Sequence, residues 1–340
     1  NFLSKKYDNI YVCTCSKNFK KKFNSKIKFI STKHNLSNKV SLKIQYLVSL
    51  FLLIKFILKN KNTLVFAFQA NIYCILACKL FGIKIIVRPN ASPSGWYRNN
   101  LKKIIYEKII SLADSVIVNS KDFKKEMENN FNINVDCIYN PLNTKEIIKL
   151  SKKKFRNNFF KNKNILKLVN MGRFTDQKDQ ITILKAVNII KDKIKFRLLI
   201  VGRGIKKKKL TYFVKNNKLS NNVKIINFQN NPYNIIKKSD VFILSSKYEG
   251  LPNVLLEAAV LKKFIISTKC PTGPKEILDN GKGGIFFKTG NYKDLAKKIK
   301  FYLKNKKKLN KKINYNFNNL DRFDFRKNLH KYDEVINRFN

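Results

Sequence analysis

Short apolar runs alternate along this chain with helix-length amphipathic segments, and that rhythm restricts the fold more than any other feature. Runs at 10–14, 28–30, 63–66, 84–88, 115–118 and 135–138 read as strands, and the segments 40–59, 70–81, 101–112 and 121–131 read as helices. Parallel strands need long crossovers, and helices packed on both faces make such strands apolar throughout. The pattern therefore predicts an α/β architecture with doubly wound parallel sheets. The polar stretch 140–164 interrupts the rhythm and reads as a connection. A second series follows, with strands at 166–171, 196–201, 223–226, 241–244 and 264–267 and helices at 180–191, 205–216, 233–237, 253–261 and 292–305. A Lys/Asn-rich stretch and a last amphipathic helix at 325–339 close the chain. The 340 residues thus divide into a domain at 1–150, a second at 151–318 and a returning C-terminal segment at 319–340. Two sheets of this kind would turn their strand carboxyl ends toward one cleft, where ligands of such sheets bind.

Charge bears on partners rather than on fold. The 72 Lys and Arg outnumber the 21 Asp and Glu, for a net charge of +51. Such a field favours anionic partners: nucleic acid, lipid headgroups or phosphorylated substrates. The lysines are scattered, though, and travel with abundant Asn, Ile and Phe, as AT-rich coding would produce. No basic-aromatic motif or zinc module accompanies them, so a nucleic-acid partner is not expected. The six cysteines, Cys13, Cys15, Cys74, Cys78, Cys137 and Cys270, form no zinc-like set with the two histidines, His34 and His330, and are expected as free thiols in a reducing cytosol. The greasiest run, 47–58, is broken by Lys55 and is too short to span a bilayer. It reads as a core helix, with a peripheral membrane helix as the alternative because Lys43, Lys55 and Lys59 flank it.

The segment 245–259 carries the most chemistry. It runs from the apolar strand 241–244 through Glu249-Gly250-Leu251-Pro252-Asn253 into the helix that begins Val254-Leu255-Leu256-Glu257. Gly250 and Pro252 force a tight turn, Asn253 is the expected N-cap, and the turn directs backbone N–H groups outward as an anion site. Two carboxylates beside an anion site, Glu249 and Glu257, make sense where they grip hydroxyls, so the natural ligand is a sugar-bearing phosphate ester. A capped surface helix with two solvated glutamates is the plain alternative.

With its E-x7-E spacing, this segment resembles the signature of glycosyltransferase family 4, a family of retaining enzymes with the two-lobed GT-B fold. Gly172-Arg173-Phe174 followed by Gln177-Lys178 looks like the family's loop after the first strand of its second lobe. Phe196–Gly204, with Gly202, Arg203 and Gly204, looks like its next strand and glycine turn. Cys270–Leu278 and the glycines 281–284 are similar to its closing loop. In the first half, Arg88-Pro89-Asn90 through Trp96, and Ala113–Ser120, resemble members that act on bacterial surface sugars.

The resemblance implies a glycosyltransferase that moves a hexose or N-acetylhexosamine from a nucleotide-sugar donor, taken as a UDP-sugar, to a saccharide or polyprenyl-diphosphate-linked saccharide in surface polysaccharide or lipopolysaccharide synthesis. It implies that Arg173 and Lys178 hold the donor diphosphate, that Glu257 holds the ribose, and that Glu249 with the backbone of Gly250, Leu251, Pro252, Asn253 and Val254 faces the transferred sugar and its phosphate. Catalysis would rest on Glu249, Arg173 and Lys178, and Gly172 and Gly202 would line the donor. Asn227 and Phe228 would lie beside the base. Asn227 stands where relatives often have glycine, which leaves uracil and guanine both open. Arg88, Asn90 and Trp96 would lie on the acceptor side.

The chain contains no Asp-x-Asp pair, so neither a metal nor another cofactor is expected and protein cations would neutralise the diphosphate. The expected location is cytoplasmic, peripheral at the inner face of the membrane. The chain opens on Asn1 with what reads as the tail of a helix, so the family's first strand, Gly-rich loop and helix start are expected upstream. A sugar-nucleotide epimerase of the same fold is the enzymatic alternative, and it would need acid–base residues that two histidines poorly supply. A basic nucleic-acid-binding protein is the other alternative.

Overall fold

The computed structural model describes residues 2–15, 20–32, 40–90, 100–155, 158–162 and 164–339. It divides into two compact units. The first comprises residues 1–118, 124–138 and 329–340, and the second 119–123 and 139–328. The division thus falls at 138/139 and 328/329, where the sequence rhythm had put it at 150/151 and 318/319.

In the first unit β1 (Tyr11–Cys13) pairs with β2 (Lys28–Ile30), apart from a sheet of β3 (Val65–Ala67), β4 (Ile85–Val87), β5 (Ser115–Val118) and β6 (Asp136–Cys137). Every pairing is parallel. Between the strands run α1 (Leu42–Lys59), α2 (Asn71–Leu80), α3 (Asn100–Ile110) and α4 (Lys121–Phe131), the last of which begins in the second unit. The short strands 85–87 and 116–118 are fully buried, as their unbroken apolar sequence requires.

The second unit opens with α5 (Thr144–Ser151), a helix inside the stretch that reads as a polar connection in the sequence. The side chain of Asn143 accepts from the Glu146 backbone N–H, an N-cap pattern that the Lys/Asn-rich composition hides, and Ile147 is buried. Then follow β7 (Leu166–Met171), α6 (Gln180–Ile190), β8 (Phe196–Gly202), α7 (Lys207–Asn216), β9 (Val223–Asn227), α8 (Tyr233–Lys238), β10 (Val241–Leu244), α9 (Asn253–Val260), β11 (Phe264–Thr268), α10 (Pro274–Ile277), β12 (Ile285–Phe287), α11 (Tyr292–Lys304), α12 (Lys306–Asn318) and α13 (Phe325–Asn337), whose last part belongs to the first unit. The helix α12 also corrects the sequence reading, which left 306–318 as a Lys/Asn stretch. Leu309, Ile313 and Phe317, four residues apart, are its apolar stripe, and Leu309 and Ile313 join the core of the unit.

The strand order β12-β11-β10-β7-β8-β9 reverses direction between β7 and β10. Leu168, Leu198, Ile200, Ile243 and Ile266 from these strands are fully buried with Ile183, Val187 and Ile299 from α6 and α11. Each contributes about 1.5–3 kcal/mol by leaving water.

Arg88, expected on the acceptor side, follows β4. It is buried, its Nε donates to the Tyr332 hydroxyl of α13 at 2.6 Å, and one terminal nitrogen donates to Asn90 Oδ1 at 2.5 Å. The guanidinium therefore ties the end of β4 to the C-terminal helix within the first unit. Asn90 is exposed, whereas Trp96 lies outside the described residues. All six cysteines are free thiols, and burial pushes Cys13, Cys78 and Cys270 up to about 12, so these stay protonated.

Tyr332→Phe removes one acceptor from a buried charged donor and should lower the unfolding free energy by about 1–3 kcal/mol. Urea titration checks this, and an unchanged midpoint would show that the contact anchors nothing.

Candidate functional site

A doubly wound sheet opens a crevice beyond its strand carboxyl ends where the strand order reverses, because the loops on either side depart in opposite directions. In the second unit this point lies between β7 and β10. The loop after β7 carries Gly172, Arg173, Gln177 and Lys178, and the loop after β10 carries Tyr248, Glu249 and Gly250. Residues far apart in sequence thereby become neighbours.

Their contacts are direct. Lys178 Nζ lies 2.6 Å from Glu249 Oε1, and only 17% of the Lys178 and 7% of the Glu249 side chain is exposed. Gln177 Nε2 donates to the Tyr248 carbonyl at 3.0 Å, the Lys247 N–H donates to the Gln177 carbonyl at 2.8 Å, and Ser245 Oγ donates to the Lys178 carbonyl at 2.8 Å. Arg173 stays exposed, held through its backbone, whose carbonyl accepts from Gln180 Nε2 at 3.0 Å. Its guanidinium makes only a 3.4 Å contact to Gln177 among the described residues.

Two glycine contacts shape the floor. A Cβ on Gly202 would sit 1.9 Å from the Gly172 carbonyl oxygen, so β7 and β8 end in backbone-to-backbone contact. A Cβ on Gly273, at φ +79°, would sit 1.9 Å from the Gly250 carbonyl oxygen. The loop that leads into α10 thus closes directly over the turn that leads into α9, with Thr272 Oγ1 donating to the Glu249 carbonyl. No side chain fits at 202 or 273.

The helix α9 begins at Asn253, with Pro252 rather than Asn253 in the capping position. Asn253 instead accepts from Asn140 Nδ2 at 2.5 Å, and the same amide donates to the Leu251 carbonyl at 3.1 Å. No side chain caps the helix start, so its first N–H groups have no side-chain acceptor there. One turn along, the carboxyl of the half-buried Glu257 makes no hydrogen bond or ion pair among the described residues, and burial pushes it up to about 7.

Asn227 pairs in register with Gly202 at the end of β9, so positions 172, 202 and 227 line the carboxyl edge of three adjacent strands. Asn227 Oδ1 accepts from Lys207 at 2.7 Å. Phe228 is exposed, with the Arg203 guanidinium 5.4 Å from its ring centre. Sequence reasoning singled out the glutamates and cations but missed Gln177, Thr272 and Asn140 as the residues that hold the loops. Only Gly273-Pro274, which announces a tight turn, hints at the closing contact.

Residues 151–319 match the profile of the family described as glycosyl transferases group 1. The chain is 36% identical over 203 residues to the uncharacterized glycosyltransferase MJ1059 of Methanocaldococcus jannaschii, a match that covers 54% of this chain and 49% of the relative. It is 27% identical over 245 residues to the N-acetylgalactosamine-N,N'-diacetylbacillosaminyl-diphospho-undecaprenol 4-alpha-N-acetylgalactosaminyltransferase of Campylobacter jejuni, covering 69% of this chain and 65% of that one. The chain thus spans between half and two thirds of the length of these relatives. Among solved structures, a glycosyltransferase from Rickettsia africae superposes with a TM-score of 0.76 at 20% identity, over 99% of this chain and 92% of that one. Anabaena Alr3699/HepE in complex with UDP superposes with a TM-score of 0.71 at 16% identity, over 92% of this chain and 86% of the other. These likenesses establish the fold as a pair of Rossmann-like parallel α/β units of the GT-B kind.

Two outcomes follow from the geometry. Lys178→Met strands the buried Glu249 carboxylate and should cost about 3–5 kcal/mol, whereas Lys178→Met/Glu249→Gln should recover most of it; denaturant unfolding of both variants measures the difference. Glu257 binds its proton more tightly folded than unfolded. Its contribution to stability is therefore full below its ordinary value of 4.5 and is lost as pH rises through about 7. Glu257→Gln should remove that part of the pH dependence of the melting temperature.

Proposed function

Since residues 151–319 match the profile of the glycosyl transferases group 1 family, we propose that this chain is a retaining glycosyltransferase that takes a UDP-sugar as donor and a lipid-linked saccharide as acceptor. The observation that carries the reading is the Lys178–Glu249 ion pair at the β7/β10 switch point, which joins the loop that carries Arg173 to the loop that leads into the uncapped start of α9. An exposed guanidinium, a lysine and a helix N-terminus on these two loops would meet the charge that a diphosphate gains, and fixed positive groups stabilise charge as it grows without reorganising. The arginine suits bidentate contact to phosphate, and the lysine adds a point charge.

Glu257 completes the donor site. A half-buried carboxylate with no partner among the described residues is costly, and the two hydroxyls of a ribose would satisfy it. Phe228 and Arg203, beyond β9, offer an aromatic face and a cation to the base. Glu249, already paired with Lys178, is placed to orient sugar hydroxyls and to keep the lysine directed at the phosphate rather than to attack the sugar. In the reaction the bond from the anomeric carbon to the phosphate oxygen breaks. The acceptor oxygen bonds to the same face, and its proton passes to the departing phosphate. Arg173 and Lys178 meet the negative charge, so the chemistry needs no metal or other cofactor.

The acceptor reading draws on the Campylobacter relative, whose name states a saccharide on diphospho-undecaprenol, and on relatives named for capsular polysaccharide and amylovoran biosynthesis. A protein serving such acceptors works at the cytoplasmic face of a membrane, in surface-polysaccharide synthesis.

UDP should raise the melting temperature more than GDP does, since ligand bound only by the folded state stabilises it. Glu257→Ala should weaken UDP binding, and parent affinity should rise as pH increases through about 7, because ribose needs the ionised carboxylate. Arg173→Ala should lower turnover more than affinity, by about 2–4 kcal/mol in the transition state. Parent-like turnover in both variants would remove the site assignment.

A further inference from the structure

The outward face of the first three helices is greasy where a surface helix should be polar. On α1 the exposed side chains Ile44, Leu47, Phe51 and Leu58 fall within one narrow stripe of the helix, with 63% of Leu47 and 67% of Phe51 open to solvent. The opposite side of the same helix is also apolar and packs inward, with Ile57 fully buried. The core-helix reading of this segment therefore leaves Leu47, Phe51 and Leu58 without a role. On α2, Tyr73, Leu76 and Leu80 repeat the spacing, and Leu80 is 78% exposed. On α3 and just beyond it, Leu101, Ile104, Ile105 and Leu112 do the same.

These stripes are not isolated. The helix α2 packs against both α1 and α3, so the three form one layer. Exposed apolar side chains repeated at helical spacing on three packed helices mark an interaction surface. The charge around it names the partner. Lys43, Lys55 and Lys59 border the α1 stripe, and Lys102 and Lys108 border that of α3, all exposed. Across residues 42–110 the only acidic residue is Glu107. A protein partner of ordinary composition would leave so many lysines unmatched, whereas an anionic lipid surface takes apolar side chains between its chains and lysines among its headgroups. Among the described residues no helix is long and apolar enough to cross a membrane, so the layer would lie in the interface.

We propose that the α1–α2–α3 layer is a docking face for an anionic bilayer, with Leu47, Phe51 and Leu80 inserted and the flanking lysines on the headgroups. This deepens the functional reading above, on which it rests for the acceptor, since an enzyme of lipid-linked saccharides must hold itself at their membrane.

The test is flotation of the full chain with phosphatidylcholine vesicles that contain or lack phosphatidylglycerol. The chain should float with anionic vesicles and far less with neutral ones. Lys43→Gln/Lys55→Gln/Lys59→Gln should weaken anionic binding by about fivefold per lysine. Leu47→Ser/Phe51→Ser should weaken it by about tenfold per side chain, at high salt as well as low. Phe51→Trp should show indole emission shifted to shorter wavelength on anionic vesicles, beyond any shift of the parent. Thermal melts and UDP binding of every variant should match the parent, because none of these residues lies at the β7/β10 crevice. Retained UDP binding with no flotation would overturn the docking face and leave the donor reading intact; flotation without UDP binding would do the reverse. A stable dimer that Leu47→Ser/Phe51→Ser converts to monomer, with no vesicle binding by either, would assign the face to a second copy instead.

Discussion

The reversal of strand order between β7 and β10 is the constraint on which the site depends. Helices leave the sheet toward opposite faces at that point, so the space above the two strand ends stays open. The ion pair of Lys178 and Glu249 spans this opening and is shielded from water on both partners. Burying two charges is favourable only with close geometry and satisfied neighbours, and the side-chain bonds that Gln177, Ser245 and Thr272 donate to backbone carbonyls supply that framework. The pair acts less as a source of stability than as a clamp that fixes both loops relative to the sheet.

Glycine contacts do at the backbone what the ion pair does at the side chains. Gly172 against Gly202 and Gly250 against Gly273 bring four loop segments closer than any Cβ would permit. These contacts are made by main chain, and main chain keeps its geometry better than flexible side chains do. Against this rigid floor stand groups left uncommitted: Arg173, exposed and barely engaged, and Glu257, whose carboxyl burial holds near 7 for want of a partner. Groups in such a state are costly to an empty protein and useful to one that binds a polyol phosphate.

The positive charge divides along similar lines. Most lysines are solvated and scattered, and the net charge of +51 distinguishes no site. The lysines that matter are those set beside something else: Lys178 beside a buried carboxylate, and Lys43, Lys55 and Lys59 beside an apolar stripe that faces outward.

The alternation of strands and helices, the parallel α/β class and the motif around Glu249 and Glu257 were legible in the sequence, because apolar period and turn chemistry are local properties. The helices α5 and α12 were obscured, since few apolar residues among many Lys and Asn carry their packing, as Ile147 and Leu309 do. The burial of Arg88 behind Tyr332 was equally hidden, because a charged residue at a strand end reads as accessible until its distant partner is known. By itself the sequence determined most of the elements and which residues bear charge or conformational freedom. Only the tertiary structure decided that β7 lies beside β10, that Glu249 meets Lys178 and that Gly273 seals against Gly250. Those pairings join positions from 23 to 73 residues apart, and sheet order, which no local pattern encodes, sets them.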